Sequence, residues 1–258
     1  MLNTLWDWTK QLGIALILAL MIKTSIVEAY KIPSSSMENT LLVGDFLLAN
    51  KFIYGMRLPI PFTDIKLPAI SEPKQGDIII FKFPGDARNN YAERGTNYIK
   101  RCIATEGQRV KIINKQVYVD DKPMELPVTG QMTDSLRIFP HYMDNFQWGL
   151  GNRDNMPEIV VPKNKLFMMG DNRDNSSDSR FWGFVDRKDV LGKAMIIHWS
   201  WNPWDVTDPN PRNRLPENIS RPPDITSSNP FSILESVSYN IYHLPERVRW
   251  GRIGDLVE

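Results

Sequence analysis

Tyr98-Ile99-Lys100-Arg101-Cys102-Ile103-Ala104 carries two adjacent cations inside an apolar run. Successive side chains of a β-strand leave the sheet on opposite faces. Tyr98, Lys100 and Cys102 then share one face, and Ile99, Arg101 and Ile103 the other. The two cations are sent to opposite sides of one sheet. Lys100 is flanked by Tyr98, Ile99, Cys102 and Ile103, where an apolar pocket around its ammonium can form.

The flanking sequence repeats the strand signal on both sides. Gly76-Asp77 opens Ile78-Ile79-Ile80-Phe81-Lys82-Phe83-Pro84, a short β-branched run of the buried-strand kind. Val110 to Asp120 reads as a hairpin about Asn114-Lys115. Leu41 to Asn50 reads as strand, tight turn, strand about Gly44. Val160-Val161-Pro162, Leu166 to Met169 and Val190 to Trp199 add further strands, and Arg247 to Ile253 is read as a final one. Residues 121–158 have little pattern and are expected to be an insertion. The stretch from Asn202 to Asn229 is Pro/Asn/Asp-rich loop. The expected fold is mostly β, with an antiparallel sheet.

The chain of 258 residues holds 19 prolines and 15 glycines, which suits short strands and turns rather than a helical bundle. Its formal net charge of +1 argues against nucleic acid as the main partner. The single cysteine, Cys102, excludes an intrachain disulfide. His141, His198 and His243 are scattered, so no metal is expected and no Ser-His-Asp triad is read. The apolar run Leu12 to Ile22 spans about 16 Å as a helix, against a bilayer core of about 30 Å. Counted from Leu5, with Trp6 and Trp8 at the interface and Lys10 and Lys23 snorkelling, it reads as a single membrane anchor. A removable signal peptide competes, since Val27-Glu28-Ala29 passes as a small-x-small cleavage site. The expected division is an anchor over residues 1–29 and a β-rich domain over 30–258.

Shortly after the apolar run comes Ile32-Pro33-Ser34-Ser35-Ser36-Met37-Glu38-Asn39-Thr40-Leu41. Alone, such a stretch is more often a polar linker than a site. A serine nucleophile needs a positioned base. Lysine serves if burial lowers its pKa by roughly three units, about 4 kcal/mol between its protonation states. An arbitrary lysine is more often a snorkelling surface residue. The polar run Gly170 to Arg180 reads by itself as a solvated turn. Its oxygen-bearing side chains invite a calcium loop, but the spacing fails at Arg173 and no glycine holds the sixth position.

Together these stretches resemble the bacterial type I signal peptidases, membrane serine proteases with a Ser/Lys dyad. The resemblance rests on Ile32 to Met37 with Thr40-Leu41, Gly76-Asp77-Ile78 with Phe81, Tyr98 to Arg101, and Gly170 to Ser176 with Asp178-Ser179-Arg180 and Trp182-Gly183. It implies Ser36 as nucleophile and Lys100 as general base. It implies Ser34 as the oxyanion hydroxyl, Ser176 as the group orienting Lys100, and Asp178 with Arg180 as a structural pair. Ile32, Met37, Leu41, Ile80, Tyr98 and Ile99 are the implied lining of shallow apolar substrate pockets. The implied substrates are signal-peptide-bearing preproteins with small residues at positions −1 and −3, and no cofactor is implied. The implied location is the bacterial cytoplasmic (inner) membrane. There the retained anchor would hold the catalytic domain on the extracytoplasmic (periplasmic) face, in contact with membrane lipid.

The chain departs from the family pattern in three ways. Ser35 replaces a frequent glycine, Asn39 stands where proline is usual, and one anchor is read where a second helix is often present. A Ser/Lys protease for one dedicated substrate and an inactive membrane-tethered binding module are the rival readings.

Overall fold

A computed structural model describes residues 6–16, 26–55, 67–86, 93–139, 152–202 and 231–258, together with 223, 225 and 229. Two antiparallel sheets make up its framework. The larger contains β1 (Val27–Lys31), β2 (Asp45–Asn50), β3 (Ile78–Lys82), β4 (Asn97–Thr105), β9 (Lys165–Met169), β10 (Val185–Asp186) and β11 (Val190–Ser200). Its strand order is β1-β2-β11-β3-β4-β9-β10. The smaller contains β5 (Arg109–Ile113), β6 (Gln116–Val119), β7 (Lys122–Pro123) and β8 (Met156–Val160), in the order β7-β6-β5-β8.

The register explains why Lys100 and Arg101 diverge. Ile79 pairs with Lys100 and Ile78 with Arg101 across β3 and β4. On one face Ile79, Phe81 and Cys102 pack with Met168 and Trp182. On the other, Ile78 and Ile80 pack with Ile32, Met37, Leu41 and Leu47. A sheet with apolar clusters on both faces gives β3 the unbroken apolar run seen in the sequence. The β5–β6 hairpin turns at Asn114 and Lys115, both with positive φ of 48° and 72°. That pair of values is the primed turn whose twist suits a hairpin.

Residues 6–16 are helical (α1), with Trp6, Trp8, Leu12, Ile14 and Leu16 exposed. No helix among the described residues is long and apolar enough to cross a membrane. Residues 17–22 of the apolar run lie outside the described residues. The sheet begins at Val27, so its first strand includes the last residues assigned to the anchor from sequence.

Two strand expectations are corrected. Leu41 to Val43 is a turn, because Asp45 Oδ2 accepts from Leu42 N at 2.8 Å and Gly44 takes a φ of 89°. Arg247 to Ile253 starts in a short helix, α3 (Leu244–Arg247), which follows α2 (Ser232–Tyr242). The chain then runs beside β11, bridging Trp201 to Val248 and Ile196 to Leu256. Asp45 holds this tail. It is wholly buried and pairs with Arg252 at 2.6 Å and Arg249 at 3.5 Å, while Ser200 Oγ donates to it at 2.6 Å.

The excursion over 121–158 is tied down at both ends by β7 and β8. A buried ionic cluster joins it to the 170–180 loop. Lys115 Nζ lies 2.6 Å from Asp174 and 3.5 Å from Asp154, and Arg153 pairs with Asp154 at 2.8 Å.

Candidate active site

Ser36 sits in a single 3₁₀ turn, Ser35–Met37, between β1 and β2. Met37, which follows it, is wholly buried and anchors the turn in the apolar cluster below. Lys100 reaches Ser36 from the middle of β4, with Nζ 2.6 Å from Ser36 Oγ and donating to the Ile99 carbonyl at 3.0 Å. Lys100 is only 3% exposed. Burial pushes its amine down to about 8, against the opposing pull of Asp178 and Asp171. A buried ammonium loses hydration that, among the described residues, no carboxylate in ion-pair contact replaces, so its neutral form is favoured. Ser34 Oγ lies 3.4 Å from Ser36 Oγ, on the exposed side of the turn.

The Gly170–Arg180 loop closes over this pair from β9. Asn172 N donates to the Ser36 carbonyl at 3.1 Å, and Asn172 Nδ2 to the Ser35 carbonyl at 3.1 Å. Gly170 is pressed against both partners. A Cβ there would stand 2.4 Å from the Ser36 carbonyl oxygen and 2.3 Å from Ser176 Oγ. Ser176 is therefore beside the Ser36 turn. Its hydroxyl is buried, lies near the Asp178 carboxylate, and makes no hydrogen bond to Lys100 among the described residues.

Two buried ion pairs hold the loop. Arg180 grips Asp178 with Nε and Nη2, each at 2.8 Å, and Nη2 also donates to the Arg173 carbonyl at 2.6 Å. Burial drives the Asp178 carboxyl up, but the Arg180 guanidinium and the Gly170 N–H outweigh it and hold it below the usual range. Arg101 grips Asp171 in the same two-pronged way, at 2.8 Å for each contact. It also donates to the carbonyls of Gly76 and Glu258 at 2.8 Å and 2.9 Å. The Arg101–Asp171 pair was not read from the sequence. Its signal was Arg101 itself, a cation inside an interior strand that needs a buried acid.

A cleft of about 300 Å³ opens beside Pro33 and is lined by Ala29, Ile32, Ile80, Tyr98 and Ile99 among others. Met37 and Leu41, expected in its lining, are wholly buried in the cluster beneath and support the turn instead. A second cavity, about 850 Å³, lies elsewhere, between Tyr54, Glu72, Glu106, Lys165 and Arg187. Neither cavity has Ser36 or Lys100 in its lining, but the smaller one adjoins the Ser36 turn through Ile32 and Pro33 and Lys100 through Ile99. Asp171 and Asp178, which the calcium-loop reading offered as ligands, are each committed to an arginine.

The family model described as signal peptidase, peptidase S26, matches residues 5–199. A protein named signal peptidase I from Pseudomonas aeruginosa is 32% identical over 239 residues, which span 83% of this chain and 77% of that protein. One of the same name from Aquifex aeolicus is 32% identical over 232 residues, spanning 74% and 82%. A crystal structure of a signal peptidase I from Enterococcus faecalis is 23% identical, covers 48% of this chain and 97% of that one, and has a TM-score of 0.32.

Proposed function

The chain belongs to the peptidase S26 family of signal peptidases, and from that premise we propose that it cleaves preproteins with a Ser36/Lys100 dyad. Its class is that of a serine peptidase, a hydrolase that removes signal peptides. The observation that carries the dyad is the 2.6 Å approach of a buried, readily neutralised amine to a hydroxyl. Neutral Lys100 accepts the Ser36 proton as Oγ attacks the scissile carbonyl. Negative charge then develops on the carbonyl oxygen, where the Ser34 hydroxyl and the Ser36 N–H donate to it. The intermediate collapses, the Lys100 ammonium returns its proton to the leaving amine, and an ester on Ser36 remains. Water, deprotonated by Lys100, hydrolyses that ester and restores the serine. The reading calls on no metal or cofactor.

The preprotein lies in the cleft lined by Ile32, Ile80, Tyr98 and Ile99. Small side chains at −1 and −3 are taken from the resemblance to signal peptidases, and Ile32, Ile80, Tyr98 and Ile99 give the cleft an apolar wall to meet them. The buried Ser176 hydroxyl, beside the Asp178 carboxylate, is available to receive the Lys100 N–H and orient it. The apolar run Leu12 to Ile22, with Trp6 and Trp8 exposed before it, supports anchoring in a membrane; the bacterial cytoplasmic membrane and the extracytoplasmic side are taken from the resemblance to signal peptidases. Cleavage of a purified preprotein in detergent tests the reading. Wild type should cut after a small-x-small site, and Ser36→Ala and Lys100→Ala should not. Activity retained by either variant removes the dyad. Cutting of one precursor from a broad panel would favour a dedicated substrate.

A further inference from the structure

We propose that Gln131 and Asn39 form a positioning pair that sets the turn carrying Ser36, an inference that rests on the role proposed for that serine. Asn39 has a φ of 71°, in the left-handed region. Outside glycine, asparagine tolerates this region best, because its short amide can hydrogen-bond locally. A proline has φ fixed near about −65° and is excluded from this conformation.

The conformation is held from outside the turn. Asn39 Nδ2 donates to Gln131 Oε1 at 2.7 Å, and Gln131 Nε2 donates to Glu38 Oε2 at 3.3 Å. One side chain thus touches the two successive residues that follow the Ser36 turn. The Gln131 backbone is fixed in turn by the loop that closes over Ser36. Gln131 N donates to the Asp171 carbonyl at 2.9 Å, and Arg173 N donates to the Gln131 carbonyl at 2.9 Å. Between these two bonds lies Asn172, whose N–H and side-chain amide hold the Ser36 and Ser35 carbonyls. Gln131 therefore closes a ring running from Asn39 through the turn to Asn172 and back. Thr40 adds a parallel contact to Thr129 and donates to Asp171 Oδ2 at 2.6 Å. The excursion over 121–158 supplies one side of the active-site frame.

Neither side chain touches Lys100, so the pair acts through the position of Ser36 and not on the proton transfer. Gln131→Ala should lower kcat about tenfold, as small displacements of a reacting group do, with KM nearly unchanged. The pH at which activity rises should stay where it is in wild type. Glycine takes a positive φ unaided, so in an Asn39→Gly background the same Gln131→Ala change should cost less than about threefold. Steady-state cleavage of a preprotein by wild type, both single variants, the double variant and Ser36→Ala decides the matter. Equal losses from Gln131→Ala in the two backgrounds overturn the pairing alone, as does a Gln131→Ala enzyme with wild-type kcat. Activity in Ser36→Ala overturns the nucleophile assignment, and the inference with it.

Discussion

Lys100 Nζ and Ser36 Oγ stand 2.6 Å apart across 64 residues of sequence, with the lysine out of water. The amine accepts a proton only when neutral, and burial brings its pKa to about 8. Cleavage should therefore rise with pH through about 8 and level off above it. Lys100→Arg should be inactive throughout, because arginine stays charged. A kcat/KM profile on a peptide substrate checks this, and a profile falling through that range would remove Lys100 as the base.

The same burial makes Lys100 a cost to the fold. Its folded pKa of about 8 lies below the usual 10.5, so the unfolded chain binds more protons between those values. Stability then rises with pH across that window. Below it a constant penalty of about 3 kcal/mol remains. Lys100→Met should be inactive yet about 1–3 kcal/mol more stable at neutral pH. Chemical denaturation of the two proteins measures it, and a less stable variant would show that the lysine's contacts outweigh its desolvation.

Gly170 is the point where the 170–180 loop meets the nucleophile turn. In Gly170→Ala the new methyl would collide with the Ser36 carbonyl 2.4 Å away. Backbone must then move, at about 1–3 kcal/mol of stability. Activity should fall at least tenfold, about what a small misplacement of a reacting group costs. Wild-type activity in that variant would mean the loop can retreat without moving Ser36.

Asp178 and Arg180 are both buried and grip each other in two places. Removing either strands the other, so Asp178→Ala and Arg180→Ala should each cost about 3–5 kcal/mol. The double variant should cost less than the two together, because the partners are no longer stranded. Additive losses in denaturant titrations would count against a coupled pair.

Ser34 faces solvent beside Ser36 and is assigned a bond made only as charge develops. Ser34→Ala should lower kcat by about 10²-fold with little change in KM. A rise in KM at constant kcat would make it a substrate-binding group instead.

The strand alternation at Tyr98 to Ile103 made β4 and the divergence of its two cations legible before any coordinates. The run Ile78 to Phe83 did the same for β3. What escaped were contacts whose halves are individually bland. Asp45 reads as a turn residue, and only the fold brings Arg249 and Arg252 to it from the tail. Gln131 lies in a stretch with no periodicity, so nothing local marks it. Asn39 was visible as a departure from the family pattern, but its backbone conformation was not. Met37 and Leu41 were apolar near a proposed cleft, and only the packing of the folded chain shows both buried in the cluster with Ile32 and Leu47.

The strand order β1-β2-β11-β3-β4 has a bearing on biosynthesis. The strands flanking Ser36 come early in the chain, and so does β4 with Lys100. Yet β2 and β3 are joined only through β11, which is made last of all the strands. Pairings over such sequence distances are slow to form. Completion of the sheet between the Ser36 side and the Lys100 side should therefore wait for Val190–Ser200, and a chain truncated before Val190 should lack the pairings that join the two halves.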